Sequence, residues 1–192
     1  MGEPLILQLP QSTHLTNDQF YELCQANPEL RIERSAKGEL ILMPPTGGET
    51  GRRNLKILQQ LGNWADHDGT GIAFDSSTCF KLPNGAERSP DAAWLTLERW
   101  NQLTPEQKEK FPPLCPDFVI ELRSATDALK PLQTKLEEYI ENGASLGWLI
   151  DPQNRHVEIY RQDQAKTVLS QPVSLTGAGR LASFTLTLNS IC

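Results

Sequence analysis

The sequence predicts an α/β (α+β) protein with a mixed central sheet flanked by helices, and three observations favour this fold class. Helical and strand patterns alternate along the chain. Residues 117–122 form a nearly continuous apolar segment, which is typical of a strand covered on both faces. An amphipathic pattern near 130–142 and an apolar strand at 146–150 follow it. That order predicts a parallel pair of strands joined by a right-handed crossover.

The residues before this unit predict two helices, a hairpin and several strands. Thr16 and Gln19 are typical of a capping box, which predicts a helix over 16–26. A hairpin of residues 30–33 and 40–43 turns at Lys37-Gly38. The other predicted elements are a long helix near 49–66 with Leu55, Leu58, Leu61, Trp64 and Ala65 on its apolar face, strands near 72–75, 78–82 and 91–95, and surface helical turns within 96–112.

The C-terminal part predicts two more strands. Residues 156–160 should return antiparallel after a turn at 151–154. The tail from Arg180 to Leu188 alternates apolar and small polar residues, which predicts an edge strand. Because 192 residues can bury a large core, we expect a single domain over 1–192.

Composition and charge exclude several classes of protein. No apolar run approaches the roughly 18–20 residues of a membrane helix, so we expect no membrane span. The net charge of −6 argues against a broad basic face that coats nucleic acid, but it is compatible with an enzyme whose phosphate contacts are local. The four cysteines and three histidines are too scattered to predict a structural zinc site. Reduced thiols account simply for the cysteines, and we expect a cytoplasmic protein.

Two charged residues belong to the apolar strand at 117–122 or follow it directly. Because alternate residues of a strand share a face, Glu121 and Arg123 point the same way as Val119. A buried charge is costly unless it is paired or bound to metal. A structural ion pair between Glu121 and Arg123 is as compatible with this segment as a catalytic role.

A second acid begins another predicted strand. Asp91 follows Pro90, a position at which aspartate commonly serves turn chemistry. On adjacent strands, however, Asp91 and Glu121 could hold Mg²⁺, which prefers oxygen ligands and binds through one or two carboxylates plus substrate phosphate. Lys135 lies on the flank of the apolar stripe of the next helix, from which its amine could reach a phosphate. A lysine that merely extends along the margin of a buried face is the commoner case.

Taken together, these motifs resemble a large bacterial family of restriction-endonuclease-like proteins, numerous in photosynthetic bacteria, in the PD-(D/E)XK nuclease superfamily. The likeness runs from Pro44-Pro45-Thr46-Gly47-Gly48-Glu49 to the strand at 184–186. Its motifs are Ser-Pro-Asp at 89–91, Pro-Asp-Phe-Val-Ile-Glu-Leu-Arg-Ser at 116–124, Lys135-x-x-x-Tyr139-x-x-x-Gly143 and Trp-Leu-Ile-Asp-Pro at 148–152.

The resemblance implies a restriction-endonuclease-like fold and a role for each of five residues. Asp91 looks like the first metal-binding acid of the family, and Glu121 looks like the second. The superfamily lysine would fall where this chain has Arg123, which could clamp phosphate but cannot act as a base. Lys135 would then supply the amine from the helix. Glu49 resembles an accessory metal-binding acid, or it only favours the N-terminus of the long helix.

The resemblance therefore implies an endonuclease that depends on Mg²⁺ or Mn²⁺ and hydrolyses phosphodiester bonds of nucleic acid, with DNA as the expected substrate. A homodimer would fit the cutting of both strands of a duplex. The alternative is a catalytically inactive module on the nuclease scaffold that binds nucleic acid or another protein. Arg123 in the usual lysine position favours this alternative.

Other motifs carry weaker signals. Residues 143–147 match G-x-S-x-G, but a helix precedes them and a strand follows, which is the reverse of the serine-hydrolase order. Residues 47–51 are glycine-rich but lack the lysine of a P-loop. Arg52, Arg53 and Lys56 form a compact basic cluster that could contact a nucleic-acid backbone or simply be a solvated helix face.

Overall fold

The chain folds around a mixed six-stranded sheet with a second, smaller sheet on its N-terminal side. The computed structural model describes residues 4–10 and 12–192. In chain order the elements are β1 (Leu5–Leu7), α1 (Asn17–Ala26), β2 (Arg31–Arg34), β3 (Leu40–Met43), α2 (Gly48–Asp68), β4 (Gly71–Asp75), β5 (Phe80–Lys81), β6 (Glu87–Arg88), β7 (Ala92–Thr96), α3 (Leu97–Asn101), α4 (Pro105–Glu109), β8 (Phe118–Leu122), α5 (Leu129–Glu141), β9 (Leu146–Asp151), β10 (His156–Arg161), β11 (Thr167–Ser170), β12 (Ser174–Thr176) and β13 (Thr185–Thr187).

The six-stranded sheet, here called the central sheet, has the strand order β11-β10-β9-β8-β7-β4. Strands β8 and β9 run parallel and are joined by α5, whereas the other neighbouring strands are antiparallel. All five residues of β8 are buried, because the sheet is covered on both faces at this strand. The predicted mixed sheet flanked by helices and the predicted parallel pair of strands joined by a helix are therefore confirmed.

The two faces of the central sheet contact different helices. On one face Phe118 and Ile120 of β8 pack in a cluster with Leu61 of α2. On the other face Val119 packs with Leu136 of α5. Since Glu121 lies two residues after Val119 in the same strand, its side chain points to the α5 face. The geometry of the strand thus directs an acid toward a helix.

The second sheet, here called the N-terminal sheet, has the strand order β1-β3-β2-β6-β5. Helix α1 packs on it through Phe20, which is fully buried beside Ile32 of β2. Arg34 of β2 stabilises this contact. Its Nε lies 2.8 Å from the buried Glu87 of β6, and its Nη1 donates to the carbonyl of Leu15, just before α1, at 2.6 Å. Glu33 of β2 and Arg88 of β6 contact side chains of α5, the helix that packs on the central sheet.

Several sequence predictions need correction. In α2 the side chain of Leu55 is 62% exposed, and the buried stripe is formed by Ile57, Leu61 and Ala65. The strand expected over 78–82 is only Phe80–Lys81, and it belongs to the N-terminal sheet rather than to the central one. Neither result is visible in local hydrophobic spacing, which does not reveal what an element packs against.

The predicted tail strand is also placed differently. Strand β13 pairs with β12 in a separate two-stranded sheet, and β11 forms the edge of the central sheet instead. Phe184 and Leu186 of this tail pack in the same apolar cluster as α2 and β8. The tail therefore covers a face of the central sheet, because its apolar side chains are buried more fully there than at an edge. Within the part of the chain that the structure describes, no helix is both long and apolar enough to cross a membrane.

The close contact between β4 and β7 yields a stability prediction. A Cβ added at Gly71 would collide with the indole of Trp94 and lie 2.5 Å from the Leu95 carbonyl oxygen. Because neither neighbour can yield easily in a packed core, Gly71→Ala should lower the free energy of unfolding by about 1–3 kcal/mol. Urea denaturation would measure it. The matched control is Gly62→Ala in α2, where the Cβ meets no atom within 4 Å and should stabilise the helix by about 0.5–1 kcal/mol. Equal effects of the two changes would contradict the assigned packing.

Candidate active site

The two acids singled out in the sequence face each other across neighbouring strands. Asp91 directly precedes β7, whose first residue Ala92 pairs with Ile120 of β8, and its charge acts on Glu121, the next residue of β8. The backbone N–H of Leu122 donates to Asp91 Oδ2 at 2.8 Å and fixes the carboxylate at the strand end. The structure therefore brings Asp91 and Glu121 together at one end of the central sheet.

Lys135 lies between this pair and the N-terminal sheet. Its Nζ is 2.8 Å from Glu121 Oε1 and also 2.8 Å from Glu33 Oε1. It donates in addition to the Ser89 carbonyl at 3.1 Å, and its side chain is only 11% exposed. Lys135 of α5 thus lies between two acids that belong to different sheets.

Glu33 is a site residue that sequence reasoning missed. It is carried by β2, is buried, and accepts from the Ser89 backbone N–H at 3.1 Å and from Arg88 at 3.2 Å. Arg88 in turn donates to Glu138 of α5 at 2.6 Å. In the sequence Glu33 appears as one polar residue of a hairpin strand. Arg88 and Ser89, shortly before Asp91 in the chain, gave no sign of this contact either, because they lie 55 and 56 positions from Glu33.

Negative charge is in excess around Lys135. Among the residues that the structure describes there, four carboxylates surround two largely buried cations, and the charge of Arg31 also acts on one of the carboxylates, Asp91. We call this group the charge cluster, and its members are Glu33, Asp91, Glu121, Glu138, Arg88 and Lys135. With all four carboxylates ionised, the cluster would carry an excess of two negative charges, which is costly in a region shielded from water.

The pKa values of the two facing acids reflect that excess. Burial raises the pKa of Glu121 to about 8, and the charges of Asp91 and Glu33 add to this effect while Lys135 opposes it. Burial also raises the pKa of Asp91, although the hydrogen bond from Leu122 and the charge of Lys135 favour its ionised form. Neither carboxylate is fully compensated by the protein's own cations. A divalent cation between them would supply the missing charge.

The donor atoms fit a hard divalent cation. Asn54 of α2 donates to Asp91 Oδ1 at 3.3 Å, and its own Oδ1 is buried without a hydrogen-bond partner. Over residues 4–10 and 12–192 no group of three or more His, Cys, Asp or Glu side chains is arranged to hold a metal. The protein would therefore supply two carboxylates, and water or substrate the rest, as is usual for Mg²⁺.

The other two predicted site residues make their contacts elsewhere. Arg123 donates to Asp151 Oδ2 at 2.8 Å and to the Asp127 carbonyl at 3.0 Å. Glu49 is exposed on the first turn of α2, where it pairs with Arg52 at 2.6 Å and with Arg53 at 3.3 Å. These ion pairs lie outside the charge cluster, and those of Glu49 partly neutralise the basic cluster at the start of α2.

A recess of about 320 Å³ opens beside the charge cluster. Glu33 and Ser89, which both contact Lys135, form part of its wall. Arg31, Ser77, Met43 and Phe111 are among its other lining residues. The recess thus leads from the protein surface to the side of the cluster on which Glu33 lies.

The layered mixed sheet and its paired acids define a protein of the restriction-endonuclease-like class. One solved structure with this fold is described as a putative nuclease belonging to DUF820 from Anabaena variabilis ATCC 29413. It superposes with a TM-score of 0.75 over 92% of this chain and 97% of that chain, with 19% identical residues. At that identity the likeness shows the fold alone. No curated protein matches the chain.

The family comparison is more specific than the structural one. The model of the Uma2 family, described as "Putative restriction endonuclease", matches residues 17–189. The chain therefore belongs to the Uma2 family, and the resemblance found in the sequence is confirmed.

The pair of Arg123 and Asp151 yields a prediction on pH-dependent stability. Burial alone would raise the pKa of Asp151, but hydrogen bonds from Asn154 and Arg123 outweigh burial and hold that pKa below its ordinary value of 3.8. Stabilisation from a depressed pKa is complete above the ordinary value and is lost as the pH falls through the folded value. Asp151→Asn should therefore lower the free energy of unfolding by about 1.5–3 kcal/mol near neutral pH.

Urea denaturation at a series of pH values measures this difference. The gap between parent and Asp151→Asn should shrink below about pH 4, because both proteins then carry a neutral side chain at position 151. Asp66→Asn, at an exposed position of α2, controls for the change in net charge. A gap that stays constant down to low pH would show that Asp151 does not stabilise the fold through its charge.

Proposed function

We propose that the protein is a divalent-metal-dependent endonuclease that hydrolyses phosphodiester bonds of DNA. The observation that carries the proposal is the convergence of two acids: Asp91 accepts from the Leu122 N–H of β8, its charge acts on the neighbouring Glu121, and the Lys135 ammonium lies 2.8 Å from Glu121. Membership of a family described as restriction endonucleases supports this chemistry and favours DNA as the substrate. Two copies of the chain would supply the two sites needed to cut both strands of a duplex.

Asp91 and Glu121 would hold the Mg²⁺ or Mn²⁺ ion through their carboxylate oxygens. When bound, such an ion lowers the pKa of a coordinated water and neutralises charge on the scissile phosphate. The hydrogen bonds from Leu122 and Asn54 orient the Asp91 carboxylate before any ion arrives. Orientation of ligands by a second layer of hydrogen bonds is the arrangement expected at a metal site.

Lys135 would act as a hydrogen-bond donor and a fixed positive charge. Burial alone would lower the pKa of Lys135, but Glu121 and Glu33 outweigh burial and raise it above its ordinary value. The amine is therefore protonated at neutral pH, and it cannot serve as a general base in this state. An ammonium group directed at the attacking water or at a phosphate oxygen instead stabilises the charge that develops during cleavage.

The contacts of Arg123 and Glu49 support different roles for these two residues. Arg123 points to the same face of β8 as Glu121, so a guanidinium held by Asp151 could contact the phosphate next to the scissile one. Glu49 is exposed and paired with Arg52, which supports a role at the N-terminus of α2 rather than as a metal ligand.

A catalytically inactive module is the second candidate, and one observation favours it. Arg123 stands two residues after Glu121, and its guanidinium donates to Asp151. The amine of Lys135 contacts two carboxylates. A protein with these contacts could bind nucleic acid near its acids without cleaving it. The two candidates differ in turnover.

Metal binding gives the first test of the proposal. Isothermal titration with Mn²⁺ should show binding to the parent, and Asp91→Asn or Glu121→Gln should each weaken it by about tenfold or more, because one of the two anionic ligands is lost. Glu137→Gln, an exposed change on α5, is the matched control for net charge and should bind like the parent. Equal Mn²⁺ affinity in all four proteins would contradict the assignment of the site.

Cleavage gives the second test. With Mg²⁺ or Mn²⁺ the parent should nick supercoiled plasmid, and Lys135→Met should reduce the rate by about 10²–10³-fold because a charge-stabilising donor is removed. The Glu121→Gln protein sets the background. Parent activity no higher than this background, on supercoiled, linear and single-stranded DNA, would favour the inactive module.

A further inference from the structure

We propose that Glu33 is a positioning residue that retains the Lys135 ammonium when a divalent cation binds Glu121. In this view Lys135 is the internal counter-ion of the site, and Glu33 keeps it from competing with the metal. The inference rests on the proposed function only for the position of the cation. It assigns a role in metal binding to the N-terminal sheet, which neither the family comparison nor the sequence motifs provide.

The contacts of Lys135 give it two alternative carboxylates. Its Nζ is equally distant, at 2.8 Å, from Glu121 and Glu33, and the Ser89 carbonyl is a third acceptor at 3.1 Å. An ammonium group has three donors, so these three acceptors match its capacity. Loss of Glu121 to a metal would still leave Lys135 with one charged and one neutral acceptor.

Competition between the two cations follows from electrostatics. A dication and an ammonium group that approach the same buried carboxylate repel each other strongly, because little water screens them. Lys135 must therefore weaken its contact with Glu121 when the cation binds. Without another anion nearby, leaving Glu121 would cost the full energy of an unpaired buried charge. Glu33 removes that cost.

Glu33 is fixed independently of Lys135. Arg88 donates to one of its carboxylate oxygens at 3.2 Å, and the Ser89 N–H donates to the other at 3.1 Å. Arg88 is itself held by Glu138 at 2.6 Å. Glu33 therefore remains in place when Lys135 shifts toward it, and the amine stays beside the acids instead of turning to solvent.

The test compares Mn²⁺ affinities by isothermal titration. Glu33→Gln should weaken binding about tenfold, because Lys135 is then left with Glu121 as its only carboxylate partner. Lys135→Met should tighten binding, because the competing cation is gone. The glutamine keeps the size of Glu33 and its acceptor for the Ser89 N–H. Glu138→Gln is the matched control, since it removes a charge from the same cluster, keeps an amide oxygen that accepts from Arg88 and so leaves Glu33 fixed, and does not contact Lys135. A decrease with Glu138→Gln as large as with Glu33→Gln would overturn the proposal.

The double variant separates positioning from simple electrostatics. In the Lys135→Met background, adding Glu33→Gln should change the Mn²⁺ affinity no more than adding Glu138→Gln does. A tenfold loss in both backgrounds would mean that Glu33 attracts the ion directly, and the inference would be wrong. Failure of the parent to bind Mn²⁺ refutes the proposed function together with this inference. Normal parent binding that Glu33→Gln leaves unchanged refutes the inference alone.

A measurement on the parent covers the case in which Glu33→Gln does not fold. The ¹H–¹⁵N signal of the Lys135 ammonium group is observable while the group is buried and hydrogen-bonded. Saturation with Mg²⁺ should shift this signal without broadening it away, because the amine remains bound to Glu33 and Ser89. Loss of the signal through exchange with solvent would overturn the proposal, as would a signal that Mg²⁺ leaves unmoved.

Discussion

The contact of one lysine with two acids is the interaction on which the rest of the structure depends. Lys135 comes from α5, Glu121 from β8 and Glu33 from β2, so a single ammonium group joins the helical layer, the central sheet and the N-terminal sheet. Each partner is nearly buried, and each would be costly without the others. The position of α5 on the central sheet and the approach of the N-terminal sheet are thus constrained by the same three charges.

This arrangement is a poor way to gain stability. A buried ion pair often contributes less than apolar side chains of the same volume, because desolvation of the charges offsets their attraction. The charge cluster goes further, since its carboxylates outnumber its cations and burial raises the pKa of Glu121 to about 8. A cluster that leaves negative charge uncompensated is understandable when a cation from solution completes it. Under the proposed function, binding of a divalent cation would offset the cost of these charges.

The sequence predicted the parts of this site that depend on local geometry. Alternation along β8 placed Glu121 on one face, the strand-helix-strand order placed α5 over that face, and the stripe of Leu132, Leu136 and Tyr139 placed Lys135 at its edge. Glu33 escaped notice because Lys135 is 102 positions away and the packing of one sheet on another leaves no periodic trace. The tail was placed wrongly for the same reason: alternation of apolar and polar residues predicts a strand, but it does not show which sheet β13 joins. The same limit applies to Arg123, because a partner 28 positions away cannot be read from the segment that contains it.

Delivery of the amine from a helix rather than from β8 makes the site dependent on core packing. A lysine on β8 would be positioned by the strand ladder itself. Lys135 is instead positioned by how α5 packs on β9, where Leu136 lies close to Gly147: a Cβ there would be 2.6 Å from Leu136 Cδ1, and the leucine side chain would have to shift. Leu136 directly follows Lys135, so any outward shift of the helix carries the ammonium with it. Hydrogen-bonding geometry tolerates only a few tenths of an ångström before a contact of 2.8 Å weakens, so the contact of Lys135 with Glu121 depends on how α5 packs on the central sheet.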